Sequence, residues 1–209
     1  MKMNLPNKLT VLRMIMVPIF MAVMAVPELF PSIGTVASNI CNIVGVVLFI
    51  LASLTDMLDG KIARKYNLVT NFGKFMDPLA DKLMVIGAML MILYKSDYEA
   101  IHPVFIWATV AVIFRELAVT GIRMLAVQGD GKVIAANMLG KIKTVLQIVC
   151  ICSVIIEPLI YQIPGIAFPE FLTQYMPLSM VTTIAMIVIT VWSGVNYLKG
   201  GMQYIRHDK

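Results

Sequence analysis

Six long apolar segments, separated by short polar connections, dominate this chain of 209 residues. A helix that crosses a bilayer needs about 20 predominantly apolar residues, and each segment is close to or above that length. The segments cover residues 10–26, 37–58, 72–94, 101–127, 135–161 and 175–198. Only 14% of the residues are charged, whereas soluble domains have about 25%. The sequence therefore predicts one all-α integral membrane domain over residues 1–209, with six transmembrane helices and no sizeable soluble domain.

The charges predict how the helices are oriented. With both termini in the cytoplasm, all but one of the 17 lysines and arginines lie at inner loops and inner helix ends, which is a strong positive-inside signal for a multi-pass protein of the cell membrane. Leu5, Leu9 and Leu12 recur at helical spacing beside polar residues and predict a short interfacial helix before the first span. Anionic lipid headgroups and phosphorylated substrates suit this basic inner surface, and nucleic acid is not an expected partner.

Four aspartates lie where the second and third segments meet the cytoplasm. Asp56 and Asp59 are spaced i,i+3 and Asp77 and Asp81 i,i+4, so each pair shares one face of a helix. A carboxylate at the bilayer centre costs roughly 2.5–3.5 kcal/mol, and four of them together also repel one another. Two divalent cations would hold them, and an all-oxygen site favours Mg²⁺ or Mn²⁺ over zinc.

Glycine and arginine accompany the aspartates. Gly60 lets the backbone come close to a bound group, and the guanidinium of Arg64 suits phosphate oxygens. Pro78 follows Asp77 directly, which predicts that Asp77 either caps the third helix or lies at a local kink. Carboxylates, divalent metals and phosphate-binding residues at a membrane surface indicate phosphoryl or phosphatidyl transfer, with the active site facing the cytoplasm.

The complete pattern D-x2-D-G-x2-A-R-x8-G-x3-D-x3-D runs from Asp56 to Asp81. It resembles the signature of the CDP-alcohol phosphatidyltransferases, which also share the six-span architecture. The resemblance implies that Asp56, Asp59, Asp77 and Asp81 bind two metal ions, and that Asp81 is also the general base for the attacking hydroxyl. The implied CDP-binding residues are Asp56, Gly60, Ala63, Arg64 and Gly73. CDP-diacylglycerol as donor, CMP as leaving group and a homodimer are further implications of the resemblance.

Other stretches resemble the phosphatidylglycerophosphate synthase branch of that family, whose acceptor is sn-glycerol 3-phosphate. These stretches are residues 4–10 (NLPNKLT) with Arg13, Arg115-Glu116, residues 120–123 (TGIR) and residues 140–144 (GKIKT). A dianionic acceptor needs a basic pocket. The candidates for binding the acceptor phosphate are Arg115, Arg123, Lys141 and Lys143, and the candidates for contacting a lipid headgroup are Asn7, Thr10 and Arg13. We expect Glu116 to pair with a neighbouring cation rather than to touch the substrate.

Several alternatives stay open at the level of sequence. Within the family, the acceptor could instead define a cardiolipin, phosphatidylserine or inositol-phosphate lipid synthase. The basic candidates could be ordinary cytoplasmic anchors, and the aspartates could form a structural network with nearby lysines. A cation transporter is a more distant alternative, because transport sites usually lie near the bilayer midplane rather than beside a cytoplasmic loop. A catalytically inactive scaffold is disfavoured by the intact signature.

Overall fold

The computed structural model describes residues 4–66, 70–128 and 138–205, and every regular element in these ranges is helical. The α-helices are α1 (Leu5–Leu29), α2 (Gly34–Lys65), α3 (Asn71–Tyr94), α4 (His102–Gln128), α5 (Met138–Tyr161), α6 (Glu170–Tyr175) and α7 (Pro177–Ile205). Short 3₁₀ helices at Pro31–Ile33 and Ser96–Ile101 connect α1 to α2 and α3 to α4. The predicted all-α fold is confirmed for the described residues.

Five helical stretches of the described chain are long and apolar enough to cross a membrane. They are Leu5–Leu29, Pro31–Leu58, Ser96–Ile122, Met138–Tyr161 and Glu170–Gly200. The third predicted span corresponds to α3, which has a comparable length but carries Asp77, Asp81 and Lys82 in its first half and is not among the five. A separate short N-terminal helix is not confirmed either, because α1 runs without interruption from Leu5.

Two helix ends near the aspartates differ from the prediction. Helix α2 continues to Lys65, so Gly60 lies inside the helix and does not follow its end. The N-cap of α3 is Thr70, whose hydroxyl oxygen accepts a hydrogen bond from the backbone N–H of Gly73 at 3.0 Å. Asp77 therefore does not cap the helix, and Pro78 lies within it. The capping alternative for Asp77 is wrong, because Thr70 already fills that role.

The helices form two groups that meet through α3. Helix α1 packs against α2 and α3, while α4 and α5 pack against α7. Helix α3 contacts α4 and α5, and α2 also contacts α5. Gly87 of α3 allows a close approach of α1, since an added Cβ would lie only 3.2 Å from the sulfur of Met21. Helix α3 thus belongs to the first group and also contacts the second.

Candidate active site

Helix α2 supplies Asp56 and helix α3 supplies Asp77 and Asp81, and these three residues are called the aspartate cluster below. Asp56 is close enough to Asp77 and to Asp81 for its carboxylate to repel both. Arg13 offsets part of this repulsion, because its Nη1 lies 2.6 Å from Oδ1 of Asp56. The hydroxyl of Thr10 donates a hydrogen bond of 2.6 Å to Oδ1 of Asp77. The predicted convergence of α2 and α3 carboxylates is thus present among the described side chains.

The first turns of α1 hold this cluster in place. Asn7, Thr10 and Arg13 are spaced three residues apart on one helix face and are 8%, 1% and 0% exposed. Oδ1 of Asn7 accepts a hydrogen bond of 2.9 Å from the hydroxyl of Thr70, the cap of α3. All three side chains therefore contact the segments that carry the aspartates. Their predicted contact with lipid headgroups stays a prediction.

The structure describes the two predicted glycines of the CDP site. Gly60 is half-buried within α2. Gly73 is buried, and a Cβ added there would lie 3.1 Å from Oδ1 of Asn7 and 3.7 Å from Oδ2 of Asp77. Gly73 thus makes room for α1 beside the cluster. The side chains of the remaining predicted residues in this part of the signature and of one acceptor candidate lie outside the described residues: Asp59, Ala63, Arg64 and Arg123.

The donor chemistry of the cluster fits a hard divalent cation. Hydrogen bonds from described residues reach only one carboxylate oxygen of Asp56 and one of Asp77, and none reaches Asp81. Free carboxylate oxygens are the ligands that Mg²⁺ and Mn²⁺ prefer. Within the described chain, no three or more His, Cys, Asp or Glu side chains are grouped closely enough to hold a metal ion. The described carboxylates therefore fit a metal site by the type of ligand that they offer. The side chain of Asp59, the fourth predicted ligand, lies outside the described residues.

A second charged cluster joins α4 and α5. The carboxylate of Glu116 pairs with Nη1 of Arg115 at 3.0 Å and with Nζ of Lys143. Arg115 and Lys143 are only 8% and 5% exposed, whereas Lys141 is exposed. Arg115 also donates a hydrogen bond of 2.8 Å to the hydroxyl of Ser193 on α7. The prediction that Glu116 pairs with neighbouring cations is confirmed, and two of the four predicted phosphate-binding residues are brought together.

A small pocket between α3, α4 and α5 connects the two clusters, and we call it the Asp81 pocket. Its lining residues are Asp81, Lys82, Val85, Ile86, Val112, Glu116, Lys143 and Gln147. Asp81 and Lys143 attract each other across it. The pocket thus combines a carboxylate able to accept a proton with an ammonium group able to bind a phosphate.

Sequence reasoning assigned no role to Gln147 or Ser193, and it considered Lys82 only as a cytoplasmic cation and a possible ion-pair partner of the aspartates. Gln147 has a recognisable signal, because it is a polar residue in an apolar segment and lies four residues after Lys143 on the same helix face. Lys82 reaches α4, where its Nζ donates a hydrogen bond to the hydroxyl of Thr120. The contact between Ser193 and Arg115 joins residues that are 78 apart in the chain, and no local spacing indicates it.

The chain is similar to proteins of known family. A family model for CDP-alcohol phosphatidyltransferases matches residues 3–194, a range that includes both clusters and the Asp81 pocket. A curated relative from Bacillus subtilis (strain 168) is 46% identical over 169 residues, which cover 80% of this chain and 84% of the relative. A relative from Rickettsia bellii is 40% identical and covers 69% of this chain and 70% of its own. One from Salmonella paratyphi A is 30% identical over 95% of this chain and 94% of its own. All three carry the name CDP-diacylglycerol–glycerol-3-phosphate 3-phosphatidyltransferase.

Proposed function

The chain belongs to the CDP-alcohol phosphatidyltransferase family, and on that premise we propose that it transfers the phosphatidyl group of CDP-diacylglycerol to sn-glycerol 3-phosphate. The products are phosphatidylglycerophosphate and CMP. The names of the relatives from three organisms support this acceptor. The observation that carries the proposal is the shared lining of the Asp81 pocket, where Asp81 faces Lys143.

Asp81 is the proposed general base. The terminal hydroxyl oxygen of the acceptor attacks the lipid-linked phosphorus of the donor, and the bond from that phosphorus to the oxygen shared with CMP breaks. The hydroxyl proton passes to Asp81, and CMP leaves with the bonding electron pair. The carboxylate of Asp81 suits this task because no described residue donates a hydrogen bond to it, so its oxygens are available to the acceptor.

Lys143 and Arg115 are the proposed ligands of the acceptor phosphate. Both are buried, and both are held by Glu116, so their charges are already oriented before an anion enters. Charge-assisted hydrogen bonds from lysine and arginine to phosphate are about twice as strong as neutral ones. Lys143 lines the pocket with Asp81, and Arg115 is linked to Lys143 through Glu116, so a neutral or zwitterionic alcohol would leave these two buried cations without an anionic partner from the substrate. Arg123 and Lys141 stay candidates for the same role.

Asp56, Asp59, Asp77 and Asp81 would hold two divalent metal ions, with Mg²⁺ or Mn²⁺ as the fitting species. When bound, such ions offset the charge of the carboxylates and of the donor diphosphate. Arg13 and Thr10 fix one oxygen each of Asp56 and Asp77, and no described residue donates a hydrogen bond to the second oxygen of either carboxylate. The proposed binding residues for the CDP group are Asp56, Gly60, Ala63, Arg64 and Gly73.

The proposed setting is the cell membrane, with both termini in the cytoplasm. Helix α3 would cross the membrane in addition to the five apolar stretches, which gives six spans. Five apolar helices support the multi-pass arrangement. The basic residues at one end of the bundle support a cytoplasmic active site. Under this topology the charged first half of α3 lies at the inner end of its span, where the cost of burying aspartates is lowest. A homodimer is part of the proposal by family membership alone.

The test compares acceptors with purified protein, CDP-diacylglycerol and Mg²⁺, and measures the release of CMP. We expect sustained release with sn-glycerol 3-phosphate, and little with serine, inositol phosphate or phosphatidylglycerol, because only the first matches both the relatives and the basic pocket. Chelation of divalent metal should stop the reaction, and added Mg²⁺ should restore it. Equal release with another acceptor would reassign the protein within its family, and no release with any acceptor would contradict the proposal.

A further inference from the structure

Gln147 is a buried amide with unused hydrogen-bonding capacity. It is 1% exposed, and its Nε2 finds no hydrogen-bond acceptor among the residues that the structure describes. Buried polar groups in native proteins are almost always paired, because an unpaired one loses its hydrogen bonds to water without replacement. Gln147 lines the Asp81 pocket. A group that enters the pocket is therefore a natural partner for its side chain.

The other polar residues that line the pocket have different roles or partners. Glu116 is held by Arg115 and Lys143, and Lys82 is bonded to Thr120 on α4. Asp81 is the proposed base. Gln147 is thus the one neutral polar side chain among the lining residues of the described chain, and it presents an amide rather than a charge. In the proposed function Lys143 already binds the phosphate, which leaves the amide of Gln147 for an uncharged hydroxyl.

We propose that Gln147 is a specificity-determining residue that hydrogen-bonds the middle hydroxyl of the glycerol acceptor. The inference rests on the proposed function. The acceptor carries three polar groups in a row: the attacking hydroxyl, the middle hydroxyl and the phosphate. The lining of the pocket includes one side chain for each group, with Asp81 for the attacking hydroxyl, Lys143 for the phosphate and Gln147 for the middle hydroxyl.

The position of Gln147 on α5 supports this assignment. It follows Lys143 by four residues, so both side chains share a helix face and their Cα atoms differ in height by roughly 6 Å. A glycerol phosphate is of comparable length and can contact both at once. A hydroxyl both donates and accepts hydrogen bonds, so it can pair with either end of the amide. Binding would satisfy the buried amide and would also fix the acceptor chain relative to Asp81.

The experiment compares two acceptors on wild type and on Gln147→Leu. One acceptor is sn-glycerol 3-phosphate, and the other is 3-hydroxypropyl phosphate, which lacks only the middle hydroxyl. We expect wild type to prefer glycerol 3-phosphate by about 10- to 100-fold in kcat/KM, because 3-hydroxypropyl phosphate leaves the buried amide of Gln147 unpaired. In Gln147→Leu this preference should fall to within about threefold, mainly through slower use of glycerol 3-phosphate.

Two further variants test whether the effect comes from the amide of Gln147. Gln147→Met keeps the side-chain volume and should lose the preference as Gln147→Leu does; moreover, the ratio for two acceptors does not depend on how much of a variant is folded. Thr190→Val is the matched control, because Thr190 is buried on α7 with a hydroxyl that has no hydrogen-bond partner in the described chain, yet it does not line the pocket. Thr190→Val should keep the wild-type preference.

A wild-type preference retained in Gln147→Leu and Gln147→Met would overturn the assignment of Gln147 while leaving the proposed function intact. A wild type that uses both acceptors equally would overturn it as well. A wild type that uses neither acceptor would contradict the proposed function itself. The outcomes of the two claims are therefore separable in one set of assays.

Discussion

Asp77 and Asp81 lie one helical turn apart on α3, but their carboxylates have different surroundings. Asp77 accepts a hydrogen bond of 2.6 Å from Thr10, whereas no described residue donates one to Asp81. A carboxylate fixed by a neighbouring hydroxyl suits a ligand of constant orientation. A carboxylate that faces a pocket, beside Lys143, suits proton transfer. This difference supports the proposed roles, in which both residues bind metal and Asp81 is also the general base.

Replacement of the proposed base should stop turnover without removing the donor. Asp81→Asn keeps the shape of the side chain but accepts no proton at neutral pH, so we expect kcat to fall by about 10²- to 10⁴-fold. Affinity for CDP-diacylglycerol should change much less, as measured by equilibrium binding with Mg²⁺ present. Glu99→Gln, at an exposed position in the connection between α3 and α4, is the control and should be fully active. Normal turnover in Asp81→Asn would contradict the general-base role.

Loss of the Arg13 guanidinium should weaken the fold more in the absence of metal than in its presence. Arg13 is fully buried and lies 2.6 Å from Asp56, which also faces Asp77 and Asp81. A hydrogen bond to a charged group contributes about 1.5–3 kcal/mol, so we expect Arg13→Gln to lower the unfolding free energy by that amount. We expect no larger loss because Asp56 is partly exposed and water can solvate its carboxylate. Added Mg²⁺ should recover part of that loss, because it replaces the missing positive charge.

Thermal unfolding with and without Mg²⁺ measures this difference. Lys141→Gln removes an exposed cation from the same end of the bundle and should leave the unfolding midpoint nearly unchanged. Equal destabilisation of Arg13→Gln with and without Mg²⁺ would argue against a shared electrostatic site.

At the scale of elements, hydropathy predicted the helices better than their ends. Helix α2 leaves the apolar segment near Leu58 and still continues to Lys65. Lysine, alanine and arginine are good helix formers, so the helix persists after its hydrophobicity ends. The length of an apolar segment indicates only the part of a helix that can lie in the hydrocarbon region of a membrane. The cap of α3 at Thr70 was likewise missed, because the proline after Asp77 was the stronger local signal.

The end of α5 and the start of α7 are joined by a buried carboxylate. Glu157 is 2% exposed and accepts hydrogen bonds from the backbone N–H groups of Leu178 and Ser179, at 3.0 and 2.6 Å, and from the hydroxyl of Tyr161 at 2.6 Å. The hydroxyl of Ser179 also donates to it. The carboxylate thus satisfies the free N–H groups at the start of α7.

Glu157→Ala should lower the unfolding free energy by about 2–4 kcal/mol, because two backbone N–H groups and the hydroxyls of Tyr161 and Ser179 lose their acceptor. Chemical unfolding in detergent measures the change. Tyr161→Phe removes only one of the contacts and should cost less. The KM for glycerol 3-phosphate should be the same as in wild type, since Glu157 lies at the other end of the bundle from Lys143. A stable Glu157→Ala protein would show that this junction contributes little.

At the scale of the whole molecule, the proposed site lies where two helical groups meet. The group of α1, α2 and α3 carries the aspartate cluster, and the group of α4, α5 and α7 carries Arg115, Glu116 and Lys143. Sequence spacing predicted the residues of each group, because each lies within one or two neighbouring segments. It could not predict that Asp81 and Lys143 line one pocket, or that α1 braces the aspartates, since those contacts depend on tertiary packing.

The central proposal is that this protein alone transfers the phosphatidyl group from CDP-diacylglycerol to glycerol 3-phosphate. Its most direct test incubates the purified chain with Mg²⁺, CDP-diacylglycerol and deuterated glycerol 3-phosphate, and follows the lipid by mass spectrometry alongside CMP. We expect one molecule of deuterated phosphatidylglycerophosphate for each CMP released. CMP released without deuterium in the lipid would indicate hydrolysis of the donor, and that result, like the absence of CMP, would contradict the account.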